Sequence, residues 1–221
     1  MLLAKANRTL EGTAYARRAF AGLAAKEREA LVTDFRDESG HRRPVDGAFL
    51  RALMGLPRGP VPEGSALDIV LWSNVGNPAF RPLDCIASRD GPLNLEGSAA
   101  IEVWTELELC CVQALWSHAV ARRSQAAASR ALGAAKWLEA NIQPDNATNR
   151  PWGIGVFVER GQIDPGPSEA DLYAETLLHN CTVARGKPDL LSSLIMLEAC
   201  GTLAVLEEAR RTNSPWFEPG A

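Results

Sequence analysis

Three side chains of the kinds used in acid–base chemistry, Asp171, Glu175 and His179, are spaced four residues apart. On an α-helix this spacing places them along one side. A second stretch of helical character carries Glu106, 69 residues before Glu175. Two carboxylates held at a fixed separation act as general acid and base, for example in the hydrolysis of a glycosidic bond. We therefore take Glu106, Glu175 and His179 as candidate catalytic residues.

A shift of the chain over itself by 69 residues gives 10 identities in the 70 pairs that start at Leu71. The shift aligns Asn77 with Asn146 and Arg81 with Arg150, both in loops, in the same register as the helices. We interpret this as an internal duplication. The alternative is a coincidence between two helical stretches rich in Ala and Leu.

In duplicated halves, Glu106 and Glu175 would face each other near a two-fold axis, with loop residues above them. The candidate binding residues are Arg81, Arg150, Asn77, Asn146, Trp72 and Trp152. Guanidinium groups hold anionic or hydroxylated substrates, and the two tryptophans would form a wall of the site.

The same charged residues also fit a purely structural role, in which Arg81 pairs with Glu106 and Arg150 with Glu175. Each ion pair would then hold a loop against its own helical hairpin. We favour this alternative, because a catalytic pair is usually asymmetric whereas a loop clamp recurs in each copy.

The elements that must position these residues are mainly α-helical. Residues 98–142 are rich in Ala and Leu, contain no Pro, and repeat large apolar side chains every three or four positions. Residues 168–209 have a similar pattern. The predicted fold is mainly α: an N-terminal helix pair followed by two related loop-plus-helical-hairpin units with pseudo-two-fold symmetry. Apolar runs at 69–72 and 154–158 predict short strand-like segments in the loops.

We expect a single domain over residues 1–221. Its predicted parts are the N-terminal helices 1–56, a linker 57–67 rich in Pro and Gly, the first unit 68–142, the second unit 143–211 and a tail 212–221. The tail carries Trp216 and Phe217, which we expect to dock on the body or on a neighbouring subunit.

Composition narrows the classes of function. A net charge of −4 without a cluster of Lys and Arg predicts no nucleic-acid partner. The five cysteines lack the spacing of a zinc site, and no motif identifies a cofactor. We see no signal peptide and no membrane span, so we expect a cytoplasmic protein.

These features predict a soluble helical binding or assembly protein whose partner is another protein or a second copy of itself. The alternative is a hydrolase or lyase that acts on a small, polar, sugar-like substrate through Glu106 and Glu175.

Overall fold

The computed structural model describes residues 22–95, 100–142, 149–163, 169–183 and 186–214. These residues contain eight α-helices and a short 3-10 turn, Pro82–Cys85. The helices are α1 Ala25–Asp34, α2 Pro44–Leu53, α3 Leu67–Ser73, α4 Ile101–Arg122, α5 Gln125–Asn141, α6 Ile154–Ile163, α7 Glu169–Val183 and α8 Leu190–Arg211. The prediction of a mainly α-helical fold is confirmed.

Helix α4 lies at the centre of the described structure. Every residue of α4 from 108 to 120 is buried, because α3, α5, α6 and α8 all pack against it. The helix ends where Arg123 adopts a left-handed conformation with φ of 51°. Ser124 then caps α5 by accepting a hydrogen bond from the backbone N–H of Ala127.

The prediction of strand-like segments in the loops is wrong, since the described residues contain no strand. Residues 69–72 belong to α3 and residues 154–158 belong to α6. Short apolar runs do not distinguish a strand from a buried helix, and packing here overrides β-propensity. Gly155 permits close packing of α6 on α8, because a Cβ at this position would lie 3.2 Å from the Cβ of Ala199.

The predicted pseudo-two-fold repeat is not confirmed. Helices α4 and α5 pack together as the first hairpin. In the second half α6 packs on both α7 and α8, whereas α7 and α8 are not a closely packed pair. The 69-residue shift also places α6 opposite residues 85–94, which form no α-helix. The second half therefore lacks the predicted hairpin.

The segment between α3 and α4 is anchored by apolar side chains over its described part. Leu93 is fully buried, and Val75, Phe80 and Ile86 are half-buried against the same core. Leu83 is 41% exposed and does not serve as an anchor.

Helix α8 is long and apolar enough to cross a membrane by length and composition alone, in contrast to our expectation that no segment is. Half of its most apolar window is buried within the described protein. This burial is typical of a core helix, so α8 is weak evidence for a membrane span.

Candidate functional site

Glu106 lies on α4 and is almost completely buried. It forms an ion pair with Arg43, which directly precedes α2. Two further buried carboxyl groups belong to this region, Asp46 on α2 and Asp68 on α3. Burial raises the pKa of both groups, and backbone donors at Arg43 and Ile69 oppose the shift.

Glu175 and His179 lie one turn apart on α7, where Glu175 is half-buried and His179 is exposed. Helix α7 does not pack closely on α4. Glu106 therefore belongs to the region where α2, α3 and α4 meet, and Glu175 belongs to a different part of the fold. Helix packing gives no support to the predicted pairing of the two glutamates.

The predicted loop clamps do not form as expected. Arg150 binds Asp37 at 2.7 Å and also pairs with Asp189, the N-cap of α8. Arg81 is exposed and has no side-chain partner among the described residues. The predicted partners of both arginines are therefore wrong. Glu106 pairs with Arg43, and Arg150 pairs with Asp37 and Asp189, which are distant in sequence.

Of the two candidate asparagines, the structure describes Asn77 and does not describe Asn146. Asn77 stabilises the turn after α3: its Nδ2 donates to Asn74 at 3.0 Å and its Oδ1 accepts from the backbone N–H of Ala79 at 3.1 Å. Asn146 lies outside the described residues, as do Trp216 and Phe217 of the tail.

Trp72 and Trp152 lie in the core and are 1% and 2% exposed. Both pack edge-on against Phe49, with ring centroids 4.9 and 5.0 Å apart. The indole N–H of Trp72 also donates to the Sγ of Cys110 at 3.3 Å. The two tryptophans therefore form no exposed wall, although Trp72 also lines the groove described below.

Helix α4 does hold a loop, but through Glu108, two residues after the predicted Glu106. The oxygens of buried Glu108 accept from the backbone N–H groups of Leu93 and Asn94 at 2.6 and 2.7 Å. Arg130 of α5 donates to the carbonyl of Pro92 at 2.9 Å. Burial raises the pKa of Glu108 to about 7, although these N–H donors and Arg130 oppose the shift. Glu108 and Arg130 together hold the end of the irregular segment.

An open groove of about 710 Å³ runs between α2, the segment 55–62 and α3, and we call it the α2–α3 groove. Small side chains form its floor on both helices, which brings the two backbones near its surface. The small lining residues are Gly47, Ala48 and Ala52 of α2 and Ser73 of α3, and Ile69 of α3 adds a larger apolar side chain. Prolines 57, 60 and 62 line its other side. The volume lies in the range of ligand sites, and the open shape suits an elongated ligand.

Among the described residues that line the α2–α3 groove, the charged ones are Arg51 and Arg58. Arg51 is bound to Glu29 and to the carbonyl of Pro57. Arg58 is exposed and has no partner among the described residues. The groove thus combines an apolar surface with one cationic side chain that is available to a ligand.

The sequence contained one signal for this groove that we did not use. Ala48 and Ala52 are both small and lie four residues apart, which places them on one face of the helix, and Gly47 lies next to Ala48. No group of His, Cys, Asp and Glu in the described part of the chain is arranged to hold a metal ion.

Comparison with protein-family models, with curated protein sequences and with solved structures finds no match for this chain.

Proposed function

We propose that the protein is a binding protein that holds a segment of a partner protein in the α2–α3 groove. The segment has apolar side chains beside an Asp or Glu residue. The observation that carries this proposal is the charge of the groove: its described lining is mainly apolar, includes no acidic residue, and has two arginines, of which Arg58 is available to a ligand. A carboxylate that reaches Arg58 would form a charge-assisted hydrogen bond.

An elongated partner segment fits the groove better than an enclosed small molecule does, because the groove is partly open to solvent. The proposal keeps the expected cytoplasmic location and leaves the partner as either another protein or a second copy of this chain. Helix packing gives no specific support to the hydrolase or lyase alternative, since α4 and α7, which carry Glu106 and Glu175, do not pack closely together.

Selection from a displayed library of random linear peptides tests the proposal. We expect the selected peptides to share apolar residues next to one Asp or Glu. Replacement of Arg58 by Glu should weaken their binding about tenfold or more, since a hydrogen bond to a charged group contributes about 1.5–3 kcal/mol. A peptide in which Lys replaces the acidic residue should regain affinity for the Arg58→Glu protein.

Arg89→Glu provides the matched control, because Arg89 is also exposed but lies outside the groove. Fluorescence anisotropy of a labelled peptide measures all of these affinities. If Arg58→Glu weakens every selected peptide no more than Arg89→Glu does, the groove is not the binding site. In a separate measurement, light scattering of the protein alone shows whether a second copy supplies the bound segment.

A further inference from the structure

Gln113 lies in the buried middle of α4, and both ends of its side-chain amide have partners. Its Oε1 accepts from the backbone N–H of Gly153 at 2.9 Å, so its Nε2 must face α8. This Nε2 donates to Oε2 of Glu198 at 2.7 Å and to the carbonyl of Ile195 at 3.3 Å. Oε2 of Glu198 is therefore an acceptor, and a proton on this carboxyl group must reside on Oε1.

Ser117 has a single hydroxyl proton and two neighbouring oxygens. Its Oγ lies 2.8 Å from the backbone carbonyl of Gln113 and 2.5 Å from Oε1 of Glu198. The carbonyl only accepts. If Glu198 is protonated, it donates to Ser117, which donates to the carbonyl, and every group is satisfied. If Glu198 is ionised, two acceptors compete for one proton.

We propose that Glu198 is kept as a neutral carboxylic acid in the folded protein and that its ionisation weakens the contact of α8 with α4, which makes this contact sensitive to pH. The contact also reaches the start of α6, because Gln113 binds both Glu198 and Gly153.

Within the described part of the chain, no charged side chain forms an ion pair with Glu198. The helices that pack closely on α8 are α4 and α6, and from α4 the neutral side chains of Gln113 and Ser117 face the carboxyl group. The titratable groups on these helices that have described partners face elsewhere. On α4, His118 faces Asn74 and Phe80, Cys110 faces Trp72, Glu106 faces Arg43, and Glu108 faces Leu93 and Asn94. On α6, Glu159 faces Arg210 and Arg160 faces Glu139. Glu198 is half-buried, and this burial raises its pKa to about 7, whereas the hydrogen bonds from Ser117 and Gln113 oppose the shift.

The direction of the effect follows from the pKa values of the two states. The pKa of Glu198 is about 7 in the folded state and 4.5 as its ordinary value, so the folded state binds the proton more tightly. Stability from this group is fully present below the ordinary pKa and is lost as the pH rises through 7. The ratio of folded to unfolded protein should fall by up to about tenfold for each pH unit in this window.

Glu198→Gln is the informative variant, because glutamine reproduces the neutral acid: its oxygen accepts from Gln113 and its NH₂ donates to Ser117. We expect wild-type and variant proteins to unfold at similar urea concentrations at pH 5 and the variant to resist more urea at pH 8. Glu207→Gln, on the exposed side of the same helix, is the control and should follow the wild type. Glu108 also titrates near pH 7 but is present in all three proteins, so the comparison isolates Glu198.

A second measurement does not depend on any variant that might fail to fold. In protein labelled with carbon-13 at the glutamate carboxyl groups, the NMR signal of Glu198, assigned by its loss in the variant, should titrate near pH 7. Amide exchange in α8, expressed as the ratio of wild type to Glu198→Gln, should rise with pH. A Glu198 signal that titrates near its ordinary value, or identical pH dependence of the two proteins, would overturn the proposal.

Discussion

Replacement of Arg150 by Met tests the long-range arrangement of the fold. The guanidinium joins Asp37, 113 residues away, to Asp189, 39 residues away. The three side chains are 13%, 11% and 19% exposed. Loss of Arg150 would leave two poorly hydrated carboxylates near each other without their shared counter-charge. Removal of one partner from a buried ion pair lowers the free energy of unfolding by about 3–5 kcal/mol. Because these side chains keep some exposure to solvent, we expect a value at the lower end, about 3 kcal/mol.

Urea-induced unfolding followed by tryptophan fluorescence at pH 7 measures this cost. The matched control is Arg211→Met, because Arg211 also contacts a carboxylate, Glu208, but the pair is 71% and 58% exposed. The control should change stability far less than Arg150→Met does, because solvent screens an exposed ion pair. Addition of Asp37→Asn to the Arg150→Met protein should restore about 1 kcal/mol, since it removes one of the uncompensated charges.

The stabilisation that Arg150 provides should depend on pH. Burial alone would raise the pKa of Asp37, but backbone donors at His41 and Ser39 and the charge of Arg150 hold it below its ordinary value of 3.8. The stabilisation is therefore present above pH 3.8 and is lost as the pH falls through the folded-state pKa. The difference between wild type and Arg150→Met should shrink in acid. If Arg150→Met costs no more than Arg211→Met at pH 7, Arg150 does not tie these segments together.

Three further predictions concern the core. Phe49→Ala should cost about 3–5 kcal/mol in urea unfolding and alter the near-ultraviolet circular dichroism, because it empties the space between two tryptophans. Gly153→Ala should cost about 1–3 kcal/mol, because Gly153 has φ of 78° and a Cβ there would lie 3.3 Å from Leu109. Burial raises the pKa of the Tyr173 phenol, so an absorbance titration should show at most one of the two tyrosines ionising before unfolding.

The long helices could be predicted from sequence because their signals are local. Ala, Leu and the absence of Pro identify α4 and α5. The start of α8 follows from Asp189, whose carboxylate caps the helix by accepting from the backbone N–H of Ser192 at 2.7 Å. Helices α3 and α6 could not be identified in the same way. They are short and buried, and their conformation depends on neighbours distant in sequence.

Side-chain partners were much harder to predict, as α4 illustrates. Glu106 and Glu108 are two residues apart, which turns them by about 200° around a helix axis. One therefore pairs with Arg43 near α2, and the other holds the backbone at Leu93 and Asn94. The sequence predicted that an arginine of each loop pairs with a glutamate of its own hairpin. It did not indicate which face of α4 meets the loop, since that depends on the packing of α5.

The predicted pairing of Glu106 with Glu175 gains no support from helix packing, for a related reason. It assumed that equivalent positions in sequence become equivalent positions in space, which requires the same order of packing in both halves. Helix α6 breaks this equivalence, because it packs on both α7 and α8. Its core side chains, Val156 and Phe157, are fully buried, so removal of α6 would expose a large part of the second half. Ten identities in 70 positions do not determine which helices meet.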